Sequence, residues 1–390
     1  MILFIKKYLK NETTFLLMKK ENMLILCLLR YHADKKDRDR LNELLKDKLD
    51  WNYILEFSRI QGVSPILYKT LKNLNFRKNI LKEFEKDYIQ TKSNNIIKYR
   101  ELEKILKIFK KEKIEVILLK GIYLAKYVYQ DIGLRPMSDI DLLVKRKDLE
   151  RCEKVLRKKD YFFCGHRGSK QQCIKRKNHD FPYYNKKANC MIELHWKINL
   201  EHKSKGYSNP LMFPTFWNNE LEIGDNYYYL SNEDMLVHLI GHITSHEMSI
   251  KIIQLVDILL LLSKFKVDWG YIYQKYPICK DKIYYTLNWM GLFFPDCVDN
   301  NLIKQFKPRI IYRILFKFIK KSLFYHYLNE SVNGKIMDLL GLLIRKRIKY
   351  RVWKFIYILY VREYDKKKMV FFISKIIGLP KRVVFFFVKK

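Results

Sequence analysis

From residue 23 to about 105, apolar residues recur at three- and four-residue spacing, as in Leu41, Leu44, Leu45 and Leu49 and then Trp51, Ile54, Leu55 and Phe57. That period puts an apolar stripe along one side of a helix, so the segment predicts a helical domain. Gly62-Val63-Ser64-Pro65 interrupts it, with Ser64 placed to cap the next helix and Pro65 to open it. Between 114 and 231 the pattern changes to short apolar runs bounded by turn residues. Runs 114–119 and 140–144 predict strands, and 121–129 and 149–158 predict helices. Two more strands are expected at 181–184 and 191–196, joined by residues 186–189. A last hairpin is expected from 221–223 and 227–230 around Gly224-Asp225-Asn226. Helical spacing resumes after Ser231-Asn232-Glu233-Asp234, a capping signal. The pattern predicts an α+β protein. A small mixed-sheet core at 106–231 lies between helical domains at 23–105 and 232–390, with a basic extension at 1–22 that has further candidate starts at Met18 and Met23.

Composition makes this globular. Of 390 residues, 48% are hydrophobic and 15% aromatic, enough for one large core or a few modest ones. The formal net charge of +36 favours anionic partners: nucleotides, nucleic acid or anionic lipid. Abundant Lys, Ile, Asn, Tyr and Phe also fit an AT-rich coding sequence, so charge alone selects none of these. The excess is concentrated at 345–390, where Lys and Arg face only Glu363 and Asp365 and alternate with aromatic residues such as Trp353, Phe355 and Tyr357. We expect helices with aromatic faces inward and lysines outward, the alternative being a surface for anionic lipid or RNA. Seven scattered cysteines without a CxxC pair read as thiols of a reducing cytoplasm. The opening apolar residues precede Lys6 and Lys7, the reverse of a signal peptide, and no apolar run approaches the roughly 20 residues of a membrane span. The expected location is cytoplasmic, with peripheral membrane association as the variant.

The sharpest local chemistry lies in Arg135-Pro136-Met137-Ser138-Asp139-Ile140-Asp141-Leu142-Leu143-Val144. Side chains two apart on a strand share a face, so Asp139 and Asp141 project together as a divalent-cation site, while Ile140 and Leu142 enter the core. Upstream, Val116-Ile117-Leu118-Leu119-Lys120-Gly121 is a strand ending in a glycine at a helix start, where backbone N–H groups can receive a phosphate and Lys120 can add a point charge. Downstream, in Cys190-Met191-Ile192-Glu193-Leu194-His195-Trp196, Glu193 and His195 share one face. Glu193 then supplies a third carboxylate, as metal ligand or general base.

A strand, glycine and helix, then D-x-D on a strand, then a later strand carboxylate, resembles the nucleotidyltransferase superfamily that includes polymerase β and the minimal nucleotidyltransferases. More narrowly, three stretches look like a family of uncharacterised bacterial nucleotidyltransferases: Leu118-Leu119-Lys120-Gly121, residues 134–144, and Ile192-Glu193-Leu194-His195-Trp196. Looser matches at 62–68, 179–182 and 230–236 extend the similarity over roughly 23–265. The resemblance implies a nucleotidyltransferase core that uses Mg2+ or Mn2+ to transfer a nucleoside monophosphate from a triphosphate such as ATP. The acceptor, whether small molecule, sugar, protein or RNA, is left open. Asp139, Asp141 and Glu193 match as catalytic metal ligands. Lys120, Gly121, Arg135 and Ser138 are the expected nucleotide contacts, Arg135 from its capacity to grip phosphate with two N–H groups. This sequence departs from the superfamily in having Lys120-Gly121-Ile122 where Gly-Gly or Gly-Ser is usual, and in a longer spacer before Asp139.

His238, His242 and His246 recur every four residues on a predicted helix, without the H-E-x-x-H order of a zinc protease. They read as a buried stripe or a face toward the cleft, and His242, His195 and His179 are candidate substrate contacts. Asp257 is a lone carboxylate in an apolar helix, expected to meet a buried donor. Two other readings stand beside transfer: a nucleotide-binding module without catalysis, and an RNA- or anionic-membrane-surface protein acting through 345–390.

Overall fold

The computed structural model describes residues 19–164, 180–198, 217, 222–223, 227–245 and 251–308. The expectations for 1–18, His179, His246, the turn at 224–226 and the tail at 345–390 lie outside them. The described elements belong to one compact unit.

Five helices open the chain: α1 (Lys20–Asp34), α2 (Arg38–Leu44), α3 (Trp51–Ile60), α4 (Ser64–Asn73) and α5 (Lys78–Lys111). The apolar spacing read from sequence becomes their shared interior: Leu41, Ile54, Leu67 and Leu71 are fully buried. Asp50 caps α3 by accepting from the Tyr53 N–H at 3.0 Å. Ser64 does otherwise than expected. It is the first helical residue of α4, and its hydroxyl donates to Asp87 on α5, tying the two helices together instead of capping. Gly62 has φ +73°, a conformation glycine adopts without steric cost. The turn it makes receives the start of a later helix, since Gln61 accepts from the Ile252 and Ile253 N–H groups.

A seven-stranded mixed sheet follows, ordered β3-β4-β5-β2-β1-β7-β6. Its strands are β1 (Val116–Leu118), β2 (Ile140–Val144), β3 (Phe162–Phe163), β4 (Asp180–Asn185), β5 (Cys190–His195), β6 (Glu222–Ile223) and β7 (Tyr228–Tyr229). Strands β1 and β2 run antiparallel, whereas β2 and β5 run parallel with Asp141 opposite Glu193. Helix α6 (Lys120–Tyr127) leaves β1 directly, and α7 (Leu149–Arg157) follows β2. Every residue of β1 and β2 is buried, as expected of central strands covered on both faces. The β4–β5 hairpin closes on Asn189, at φ +46°, with Asn185 accepting from the Ala188 N–H.

Helices return as α8 (Asn232–Ser245), α9 (Ile252–Lys264), α10 (Trp269–Lys275), α11 (Lys280–Phe293) and α12 (Asn300–Gln305). Ser231 caps α8 as its sequence predicts, accepting from the Asp234 N–H at 3.2 Å. No disulfide joins the described cysteines. Among the described residues, no helix is long and apolar enough to cross a membrane.

The sheet core should carry much of the stability. Leu142→Ala, at a fully buried site in β2, is expected to cost about 2–5 kcal/mol. Ile60→Ala, at a 63% exposed site, should change stability by no more than about 0.5 kcal/mol. Urea unfolding of both variants checks the contrast.

Candidate active site

Three neighbouring pieces of backbone build the site: the β1–α6 junction, the start of β2 and the end of β5. The parallel register sets Asp141 beside Glu193, and the two-residue period of β5 returns His195 to the same face. One ligand atom from each of Asp141, Glu193 and His195 lies within 4.8 Å of the others. Two carboxylate oxygens and an imidazole nitrogen are a donor set that first-row divalent metals accept.

Asp141 is 2% exposed, so its charge needs partners. Lys120 Nζ donates to Asp141 Oδ1 at 2.7 Å, and His195 Nε2 lies 2.8 Å from the same oxygen. Glu193 Oε2 is 3.6 Å from His195 Nε2. These contacts explain the proton affinities. Burial pushes the Asp141 carboxyl up, but Lys120 and His195 outweigh it and hold it well below the usual carboxylate range. Burial likewise opposes the His195 and Lys120 cations, yet their acidic neighbours raise both above their ordinary values. Asp139, one residue ahead of β2, goes the other way. Burial first, and then repulsion from Asp141 and Glu193, push it up to about 6, against the pull of Lys120 and a hydrogen bond from Ser138. Crowded carboxylates whose charges oppose one another are stabilised by a cation between them, so these residues fit a bound metal ion.

Lys120 takes a left-handed φ of +45° at the first position of α6. A non-glycine residue held there stores backbone strain, a feature concentrated at functional sites. Gly121 is closely packed by the side chains of the segment before β2. A Cβ at that position would lie 2.5 Å from Arg135 Nη1 and 2.9 Å from Met137 Cγ.

Arg135 is bound within the protein. Its Nε and Nη2 donate to the two carboxylate oxygens of Asp257 on α9, each at 2.8 Å, and the Tyr129 hydroxyl donates to Asp257 Oδ1 at 2.7 Å. Sequence reasoning foresaw a buried donor for Asp257 without naming it. The available signal was a single acid in the apolar run of α9 and a single arginine before Pro136. Beside this pair, a cavity of about 30 Å³ is lined by Lys120, Arg135, His242, Gln254 and Asp257 among others. Helix α8 thus brings His242 to the edge of the site, and α9 brings Gln254, which the sequence reading had not selected. Ser138 is exposed beside Asp139. His195, a candidate substrate contact, lies within the carboxylate cluster, against Asp141 and Glu193.

The site thus gathers carboxylates and a histidine from adjacent central strands and a lysine from the strand-to-helix turn. The sequence model of the family described as Uncharacterised nucleotidyltransferase matches residues 47–280, and the chain belongs to that family. Membership makes its general activity nucleotidyl transfer and implies a nucleoside triphosphate substrate. The match runs from just before α3 to the start of α11, so it takes in the whole site, including the Asp257 tie. No curated protein and no solved structure matches the chain.

Two outcomes are expected. Asp257→Ala strands the Arg135 cation, whose side chain is 12% exposed, and should cost about 3 kcal/mol in urea unfolding. For Asp139, the folded carboxyl keeps its proton to about pH 6 whereas the unfolded one releases it near 3.8. Its ionisation therefore opposes folding, a cost absent below the unfolded pKa and fully present once pH has risen through the folded one. Asp139→Asn should flatten that part of the stability-versus-pH curve, and an unchanged slope would refute the assignment.

Proposed function

We propose that the protein transfers a nucleoside monophosphate from a nucleoside triphosphate to a hydroxyl or phosphate acceptor at the cluster of Asp141, Glu193 and His195, with Asp139 beside it. The observation that supports this most is the convergence of Asp141, Glu193 and His195 within 4.8 Å, with Lys120 on the same carboxylate. The residues that would hold Mg2+ or Mn2+ are Asp139, Asp141 and Glu193. The chemistry such an ion supplies is charge neutralisation on the phosphates and on the leaving pyrophosphate.

The chain's own residues do the rest. Lys120, at the turn where α6 begins, offers its ammonium to a phosphate oxygen, with Asp141 holding it at the site beforehand. His195 fixes the orientation of Asp141 through the 2.8 Å contact. Glu193, less buried than Asp141, is placed to accept the proton of an acceptor hydroxyl. Arg135, gripped by Asp257, packs on Gly121 and so keeps the β1–α6 turn in place, and its remaining edge and His242 line the adjoining wall. Substrate is thus positioned between strands and turn, where proximity and fixed charge lower the barrier without a covalent intermediate.

Binding of each of the four common nucleoside triphosphates, with and without Mg2+, tests the reading together with pyrophosphate release. Asp141→Asn and Glu193→Gln should each weaken Mg2+-dependent binding at least tenfold, equivalent to about 1.4 kcal/mol. If both variants bind every nucleotide as the parent does, the site is wrongly assigned. Tight parental binding without pyrophosphate release under any acceptor would favour the non-catalytic module.

A further inference from the structure

Away from the carboxylates, a half-open cavity of about 430 Å³ lies between α5, α6 and the start of β7. It shares no lining residue with the cavity beside Lys120. Its volume is in the range that small-molecule sites occupy. The apolar part of its lining includes Leu102 and Leu106 of α5 and Leu118 of β1, all buried side chains. Its charged part is one-sided: Arg100 and Lys107 of α5 and Lys126 of α6 stand against a single acid, Glu103, and all four are exposed.

Two tyrosines complete the lining, Tyr99 and Tyr227. The Tyr99 hydroxyl donates to the Ile122 carbonyl at 2.7 Å, and the Tyr227 hydroxyl meets the hydroxyl of Tyr127. With these hydroxyls committed inside the protein, what the tyrosines offer an occupant is ring surface. Apolar and aromatic walls with a rim of cations are complementary to a flat apolar body carrying a negative group. A purely inorganic anion would leave the apolar lining without a partner, and a neutral aromatic would leave the rim charges unused.

We propose that this cavity is a second ligand site, taking a small aromatic anion whose ring lies against Leu106 and the tyrosines and whose carboxylate or phosphate meets Lys107, Lys126 and Arg100. The site is independent of the transfer reaction proposed above. It has a physical route to it, because Tyr99 holds the first turn of α6, two residues after Lys120.

Calorimetric titration of the full chain with 2-naphthoate tests this, with 2-naphthylmethanol, octanoate and inorganic phosphate as separate arms. The expected result is saturable one-to-one binding of 2-naphthoate. The neutral alcohol, the acyl anion and phosphate should each bind at least tenfold more weakly. The exposed-residue double variant Lys107→Glu with Lys126→Glu should lose at least tenfold in naphthoate affinity at unchanged thermal midpoint, and Leu106→Trp, which fills the cavity, should abolish binding. Asp141→Asn should bind naphthoate as the parent does, which separates this site from the transfer site. The proposal is overturned if naphthoate does not bind, if the double variant binds it with parental affinity, or if the alcohol, octanoate or phosphate binds as tightly.

Discussion

A buried negative charge organises this protein. Asp141 sits in the middle of the sheet, and a carboxylate there is tolerated only with compensating charge and hydrogen bonds around it. Lys120 answers from the turn after β1 and His195 from the end of β5, so three separate stretches of chain are brought to one oxygen atom. The register between β2 and β5, the left-handed backbone at Lys120 and the early start of α6 are all consistent with that requirement. The feature that is costly for folding is the one on which the proposed transfer chemistry rests.

Around it the protein has a second, outer tie. Arg135 and Asp257 join the loop before β2 to the helices that follow the sheet, with Tyr129 completing the hydrogen bonding of the carboxylate. Arg135 also presses against Gly121, so the tie reaches the turn that carries Lys120. The position of Lys120 thus depends on packed side chains that do not touch Asp141.

Much of this was legible in the sequence, and the reasons are physical. Strand β2 and both strands of the β4–β5 hairpin were readable because two-residue alternation and turn residues leave local marks. The Ser231 cap and the shared face of Glu193 and His195 followed from the same local rules. What could not be read were contacts between distant segments. Ser64 has the composition of a cap, yet Asp87 on α5 offered its hydroxyl a better partner. Arg135 has the chemistry of a phosphate contact, and nothing near it in sequence reveals a carboxylate on α9. Lys120 was expected beside the two aspartates, whereas its bond to Asp141 depends on how β1 and β2 pair. His195 was seen on the right face of its strand, but only the register shows that it reaches Asp141.

The Arg135–Asp257 pair also constrains how such a sequence can diverge. The two residues are 122 positions apart, in segments that composition alone would assign to different parts of the chain. Loss of either one leaves an uncompensated, largely buried ion, so the strand core and the helix after it depend on each other. Exchange of one without the other between relatives would join an arginine to a helix with no carboxylate to receive it. A chimaera with its break point between Arg135 and Asp257 would therefore separate the pair.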